Sequence, residues 1–230
     1  MRLPLTVLAA CVAVGAAGPP AALAHSLDDL TSTLGERETY FQPVDKPAPE
    51  LRLQDADGRP VTLADFRGQV VVLHFVYMSY TDTCPMHASL LAEVQEMVNQ
   101  TPMAERVRFV TVTTDPENDT PEILRDYGPS RGLDPANWLA LTTRPDQPEN
   151  ATRRLAEAFG HSFSKLPDGK QLHGTVTHVV GPRGHWAANF HGLRFDPANL
   201  VLFANGLLHV SDGAHVQESG SWWQRLRAWF

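Results

Sequence analysis

One thiol in the body of this sequence stands where a reactive or metal-binding group is expected. Cys84 follows the apolar run Val70-Val71-Val72-Leu73-His74-Phe75-Val76-Tyr77 and a short link ending at Thr83, and it precedes Pro85-Met86-His87. The β-branched run predicts a buried strand. Pro85 suits the first position of a helix, where no amide donor is needed. Cys84 is then the cap, and a helix N-terminus stabilises a thiolate. Such a sulfur is either a nucleophile or a soft metal ligand. The plain alternative is a buried, inert cysteine.

The elements around this thiol decide what it can meet. Leu51 to Gln54 and Val61 to Leu63 read as a hairpin around Asp57-Gly58. The helix from Pro85 to Gln100 places Met86, Leu90, Val94, Met97 and Val98 on one face. Val107 to Thr113 reads as a second buried strand, and Thr120-Pro121-Glu122 opens a helix through a cap and an N1 proline. A strand over Trp138 to Thr142 and a helix over Glu149 to Phe159 follow, the helix ended by Gly160. A turn at Asp168-Gly169 comes next, then a hairpin of Val176 to Val180 with His185 to Phe190, and a last helix over Pro197 to Leu208. His25 to Pro49 reads as a polar lead-in with one weak helix near Leu27 and an extended, proline-rich linker.

This order predicts an α/β fold, a mixed sheet with helices on both faces. A right-handed βαβ unit runs both of its strands the same way. The ends at Tyr77 and Thr113 then share one sheet edge, where α/β proteins bind ligands. Cys84 and the segment Thr114 to Pro121 belong to that edge.

The 230 residues suit one domain with extensions, and 43% hydrophobic residues supply a sizeable core. Residues 1–24 read as a signal peptide: a basic start, an apolar stretch from Leu3, and a small-x-small site at Ala22-Leu23-Ala24. A retained membrane anchor is the second reading. Cleavage removes Cys11 and leaves Cys84 as the lone cysteine in an oxidising compartment, where disulfides are usual. A metal, a partner thiol or burial then protects it. Cleavage also removes Arg2, so the mature chain is more acidic than the full chain's −7. That balance argues against a nucleic-acid partner.

Three motifs together resemble the Sco (SenC) family of copper-binding assembly proteins, which have a thioredoxin-like fold. Thr113-Thr114-Asp115-Pro116-Glu117-Asn118-Asp119-Thr120-Pro121-Glu122 is very close to the family's V-D-P-x-x-D-T-P segment. Leu172-His173-Gly174-Thr175 through Gly181-Pro182 is similar to D-H-[ST] with D-P nine residues after the His. Phe75 to Pro85 resembles F-x-F-T-x-C-P-x-x-C-P in length, with Cys84 on the second Cys. The resemblance covers roughly residues 45 to 208. It implies a thioredoxin-like mixed sheet flanked by helices with an N-terminal β-hairpin. The expected layout is a leader over 1–24, an extension over 25–44, the Sco domain over 45–209, and a linker with an aromatic-basic tail over 210–230.

In the family, two cysteines and a distant His bind copper. The first Cys falls on Tyr80 here, so the resemblance implies Cys84 and His173 as the retained metal ligands. Tyr80 is a candidate third donor, although a phenol is a poor ligand for Cu(I); it otherwise serves as packing. His87, on the face next to Cys84 in the first helical turn, is another, unless it merely faces solvent. Met78 and Met86 carry thioethers, with Met86 expected in the core. Asp115 resembles the family's acidic residue beside the copper and could orient His173, or it is simply a turn residue before Pro116.

The resemblance therefore implies a copper chaperone of the periplasm or cell envelope, a carrier rather than a catalyst. It would aid maturation of the copper site of cytochrome c oxidase. Its partners would be the copper-receiving subunit of a respiratory oxidase or another copper carrier. The single thiol leaves no resolving cysteine for dithiol–disulfide reduction. Two other readings stay open: a thiol peroxidase built on Thr81-x-x-Cys84, and an assembly scaffold that binds no metal.

His178 alternates with Val176 and Val180 and reads as a sheet-face residue, while His185 and His191 read as exposed. His25 would become the mature N-terminus, where the amine and the imidazole together can chelate Cu(II). In the tail, Trp222, Trp223, Leu226, Trp229 and Phe230 form a helical stripe beside Arg225 and Arg227. That stripe suits a peripheral membrane contact, a partner or the chain's own domain.

Overall fold

The computed structural model describes residues 27–78, 84–165, 171–172 and 174–211. The expected leader, Tyr80, the expected turn at Asp168-Gly169, His173 and the aromatic tail lie outside the described residues, as does the side chain of Cys84. The element order is α1 (Leu27–Arg37), β1 (Phe41–Pro47), β2 (Arg52–Asp55), β3 (Pro60–Thr62), β4 (Val70–Val76), α2 (Cys84–Asn99), β5 (Val107–Thr113), α3 (Pro121–Tyr127), β6 (Trp138–Thr142), α4 (Ala151–Ala158), β7 (Ser164–Lys165), β8 (Gln171–Leu172), β9 (Val176–Val180), β10 (His185–His191) and α5 (197–211).

Eight strands form one sheet in the order β1-β10-β9-β4-β5-β6-β2-β3, with β4, β5 and β6 parallel and the other pairings antiparallel. β4 lies inside this sheet, and every one of its residues is buried. Its faces alternate as a strand's must. Val70, Val72 and Val76 join the core beneath α2 and α5, while Val71, Leu73 and Phe75 join the core beneath α4. The parallel register sets Val76 opposite Thr113, so β4 and β5 end together.

Local chemistry accounts for the element ends. Thr120 accepts a hydrogen bond from the Ile123 amide at 3.5 Å, and Pro121 follows at the first helical position. Gly160 takes φ 86° just after α4, a left-handed conformation that closes the helix.

Two expectations are corrected. The proline-rich segment after α1 is not a linker: β1 pairs with β10 as an edge strand, from Phe41 opposite Phe190 to Pro47 opposite His185, with an irregularity between Pro43 and Lys46. Prolines are tolerated there because an edge strand leaves one row of amides unpaired. The buried face of α2 is also rotated. It carries His87, Ala88, Leu91, Val94, Gln95 and Val98, whereas Met86 is 62% exposed. Gln95 turns inward because α2 has polar partners there: its amide donates to Asp134 O and Asn137 Oδ1, and its carbonyl accepts from the Asp134 amide.

Candidate functional site

The edge where β4 and β5 end is built by hydrogen bonds from both strands. The Thr114 amide donates to Val76 O at 2.8 Å, and the Thr114 hydroxyl donates to the same oxygen at 3.1 Å. Asp119, 2% exposed, accepts from the Met78 amide at 3.1 Å and from the Thr113 hydroxyl. Asp115 O accepts the amides of Asn118 and Asp119, which folds Thr113 to Pro121 into a compact cap on the edge.

Asp115 presents its carboxylate within that cap, with 9% exposure. It accepts from Asn118 Nδ2 at 2.8 Å and from the Tyr77 hydroxyl. That bond, with burial and the charges of Asp115 and Asp119, raises the Tyr77 pKa above its ordinary value, although Arg153 pulls the other way. The turn role and the role of a fixed charge at the edge coexist in Asp115. Tyr77, one residue past the strand, escaped the reading of the sequence because no spacing marks a hydrogen bond between two loops.

α2 begins at Cys84 on this same edge. His87, one turn on, points into the protein rather than toward solvent. It is 3% exposed, and its Nε2 lies 2.8 Å from Thr177 Oγ1 on β9. Its ring also packs on His74 at 4.8 Å between centroids. His74 in turn reaches Thr111, and Trp138 Nε1 donates to Thr111 at 2.9 Å. This polar row links the first turn of α2 to four strands, β9, β4, β5 and β6.

β9 runs antiparallel to β4, with Thr177 opposite His74 and Val180 opposite Val71. The chain therefore enters β9 from the edge where β4 ends. His173 lies just ahead of that entry in sequence, between β8 and β9. Among the described residues no group of three or more His, Cys, Asp or Glu side chains could hold a metal ion.

The SCO1/SenC family profile matches residues 42–201. This chain belongs to the SCO1/SenC family. The SCO1 protein homolog of Bacillus subtilis is 25% identical over 153 residues, covering 65% of this chain and 76% of that one. Two solved structures share the fold. BsSco, a member of the Sco family of cytochrome c oxidase assembly proteins, aligns with a TM-score of 0.62 at 22% identity, over 73% of this chain and 96% of its own. Arabidopsis thaliana ScoI with copper bound aligns at 0.58 and 20% identity, over 72% and 98%. The SCO1/SenC membership agrees with the thioredoxin-like sheet read from the motifs.

The other face holds what the sequence did not reveal. His178 is fully buried on β9, and its Nε2 lies 2.9 Å from Nε2 of His161. His185 meets Asp45 at 2.5 Å, and His191 meets Gln42 at 2.8 Å, both near the surface as expected.

Proposed function

We propose that this chain is a copper-binding assembly protein of the cell envelope that helps metallate the copper site of a cytochrome c oxidase. Cys84 and His173 are the proposed ligands. The observation that carries the reading is topological: α2 starts at Cys84 on the edge where β4 ends, and the chain enters β9 from that edge. A carboxylate is already held there by Asp115, which suits a bound cation. Family membership and the copper-bound relative support copper as the cargo. Thiolate and imidazole together favour copper over hard cations. His87 and Tyr80, the latter through its phenol, are the proposed further donors. The leader and the tail point to an envelope location, with lipid contact through Trp222, Trp223, Trp229 and Phe230.

Tyr80 in place of a second thiol favours one competing reading, a scaffold that binds no metal. Titration of the full chain with Cu(I) against a competing chelator separates the two. The proposal expects tight binding in the wild type. Cys84→Ala and His173→Ala should each weaken it by about 2–4 kcal/mol, or roughly 30- to 1,000-fold. His87→Ala has a smaller effect, and Tyr80→Cys tightens binding. No wild-type binding, with gain only in Tyr80→Cys, establishes the scaffold instead.

A further inference from the structure

The sheet face covered by α4 contains a histidine pair that the Cys84 edge does not use. His178 projects from β9, and His161 sits in the short segment between α4 and β7. Their Nε2 atoms are 2.9 Å apart, and the residues are 0% and 7% exposed. Aromatic rings wall them in. Phe159 and Trp186 lie 4.8 and 5.3 Å from the His178 ring, and Phe75 lies 5.1 Å from the His161 ring. Phe163 stacks on His161 at 6.5 Å.

The hydrogen-bond directions fix the tautomers. Asn189 Nδ2 donates to Gln42 Oε1 at 3.1 Å, so Asn189 Oδ1 is the atom facing His178. That oxygen accepts from Trp186 Nε1 at 2.8 Å and from His178 Nδ1 at 2.7 Å. His178 therefore carries its proton on Nδ1. Burial, reinforced by the neighbouring His161, lowers its pKa to about 3, so the ring is neutral. Its Nε2 presents a bare lone pair, and the His161 Nε2–H donates to it. A ring whose Nδ1–H is held by an amide oxygen while Nε2 points at a second imidazole is oriented as metal-ligating histidines are.

We propose that His161 and His178 form a second, two-coordinate site for a soft monovalent cation, Cu(I) or Ag(I). Two donors are too few for Zn²⁺ or Cu(II), which take four or more ligands. A d¹⁰ monovalent ion is satisfied by two imidazole nitrogens in line. Metal–nitrogen bonds of about 2 Å each require the two Nε2 atoms to be ~4 Å apart, so the pair opens by about 1 Å. His161 lies outside any helix or strand, which lets it make that shift, and its small exposure is the ion's way in. On binding, the His161 proton moves from Nε2 to Nδ1 and both Nε2 lone pairs bond to the ion. No proton is released and no electron is transferred.

The proposed ligands include neither Cys84 nor His173, so the site is tested in the full-length Cys84→Ser/His173→Ala double variant. Titration with Cu(I) against a chelator should still take up one equivalent, and His161→Phe added to that background should remove it. With Ag(I) as the probe, the ¹⁵N resonances of Nε2 in both histidines should shift and split through coupling to silver. Should His161→Phe fail to fold, the silver spectrum of the double variant decides alone. Unmoved His161 and His178 resonances at one equivalent of Ag(I) overturn the proposal, whatever happens at Cys84. Loss of all copper uptake in the double variant overturns it equally.

Discussion

Asp115 is the residue through which the edge where β4 and β5 end reports its own electrostatics. Its carboxylate accepts the Tyr77 hydroxyl, which holds the phenol protonated beyond its usual range. Asp115→Asn removes both the charge and the better acceptor. The Tyr77 pKa should then fall back toward about 10, measured as phenolate absorbance against pH with Tyr77→Phe as the control. The same variant should weaken Cu(I) binding roughly 10- to 100-fold, as loss of a group that orients or balances a metal ligand does. A change in copper affinity without any change in the Tyr77 titration would separate Asp115 from this hydrogen bond. The resemblance marked Asp115 through its motif. It could not mark Tyr77, because the strength of that contact depends on two loops folding onto one edge.

At the scale of elements, packing decides more than pattern. Strands β5 and β6 run between the residues expected from the sequence, because β-branched and aromatic runs bounded by polar turns are unambiguous. The same logic misplaces the buried face of α2. Met86 fits an apolar stripe on paper, but His87 finds Thr177 and packs on His74, so the helix rolls to bury the imidazole. β1 looks like a linker in the sequence because its three-proline neighbourhood suppresses the strand signal. Gly128 offers a test of how tightly the layers meet. A Cβ there would fall 2.6 Å from ring carbons of Trp138, whose indole is held by Thr111. Gly128→Ala should therefore cost about 1–3 kcal/mol in chemical denaturation, with part of the loss restored by Trp138→Leu. Glu38 joins distant elements: its carboxylate accepts the amides of Tyr40 and Asp196 and the side chain of Asn199. Glu38→Ala should destabilise by about 1–3 kcal/mol by leaving those donors unmatched, measured the same way.

For the molecule as a whole, the buried His178 sets an acid limit. Its folded pKa of about 3 lies below the unfolded value of about 6.5. The unfolded chain therefore binds a proton over that interval while the native metal-free protein does not. Stability is fully present above about pH 6.5 and is lost as pH falls toward 3, at up to about 1.4 kcal/mol per pH unit from this group. Denaturation midpoints of His178→Phe should show a shallower decline across the same window. A wild-type profile flat between pH 6.5 and 4 would contradict the buried neutral imidazole.

The outer rim of β1 also bears on how copies of this protein behave together. Pro43 and Pro47 have no amide hydrogen to offer an approaching strand, and the chain buckles between Pro43 and Lys46, where Asp45 takes φ 53°. Sheets left open at the border invite lateral stacking of one copy on the next, and such interruptions discourage it. Restoring hydrogen-bonding capacity with Pro43→Thr and Pro47→Thr should turn this self-limiting margin into an adhesive one, seen as concentration-dependent fibre formation at unchanged fold stability.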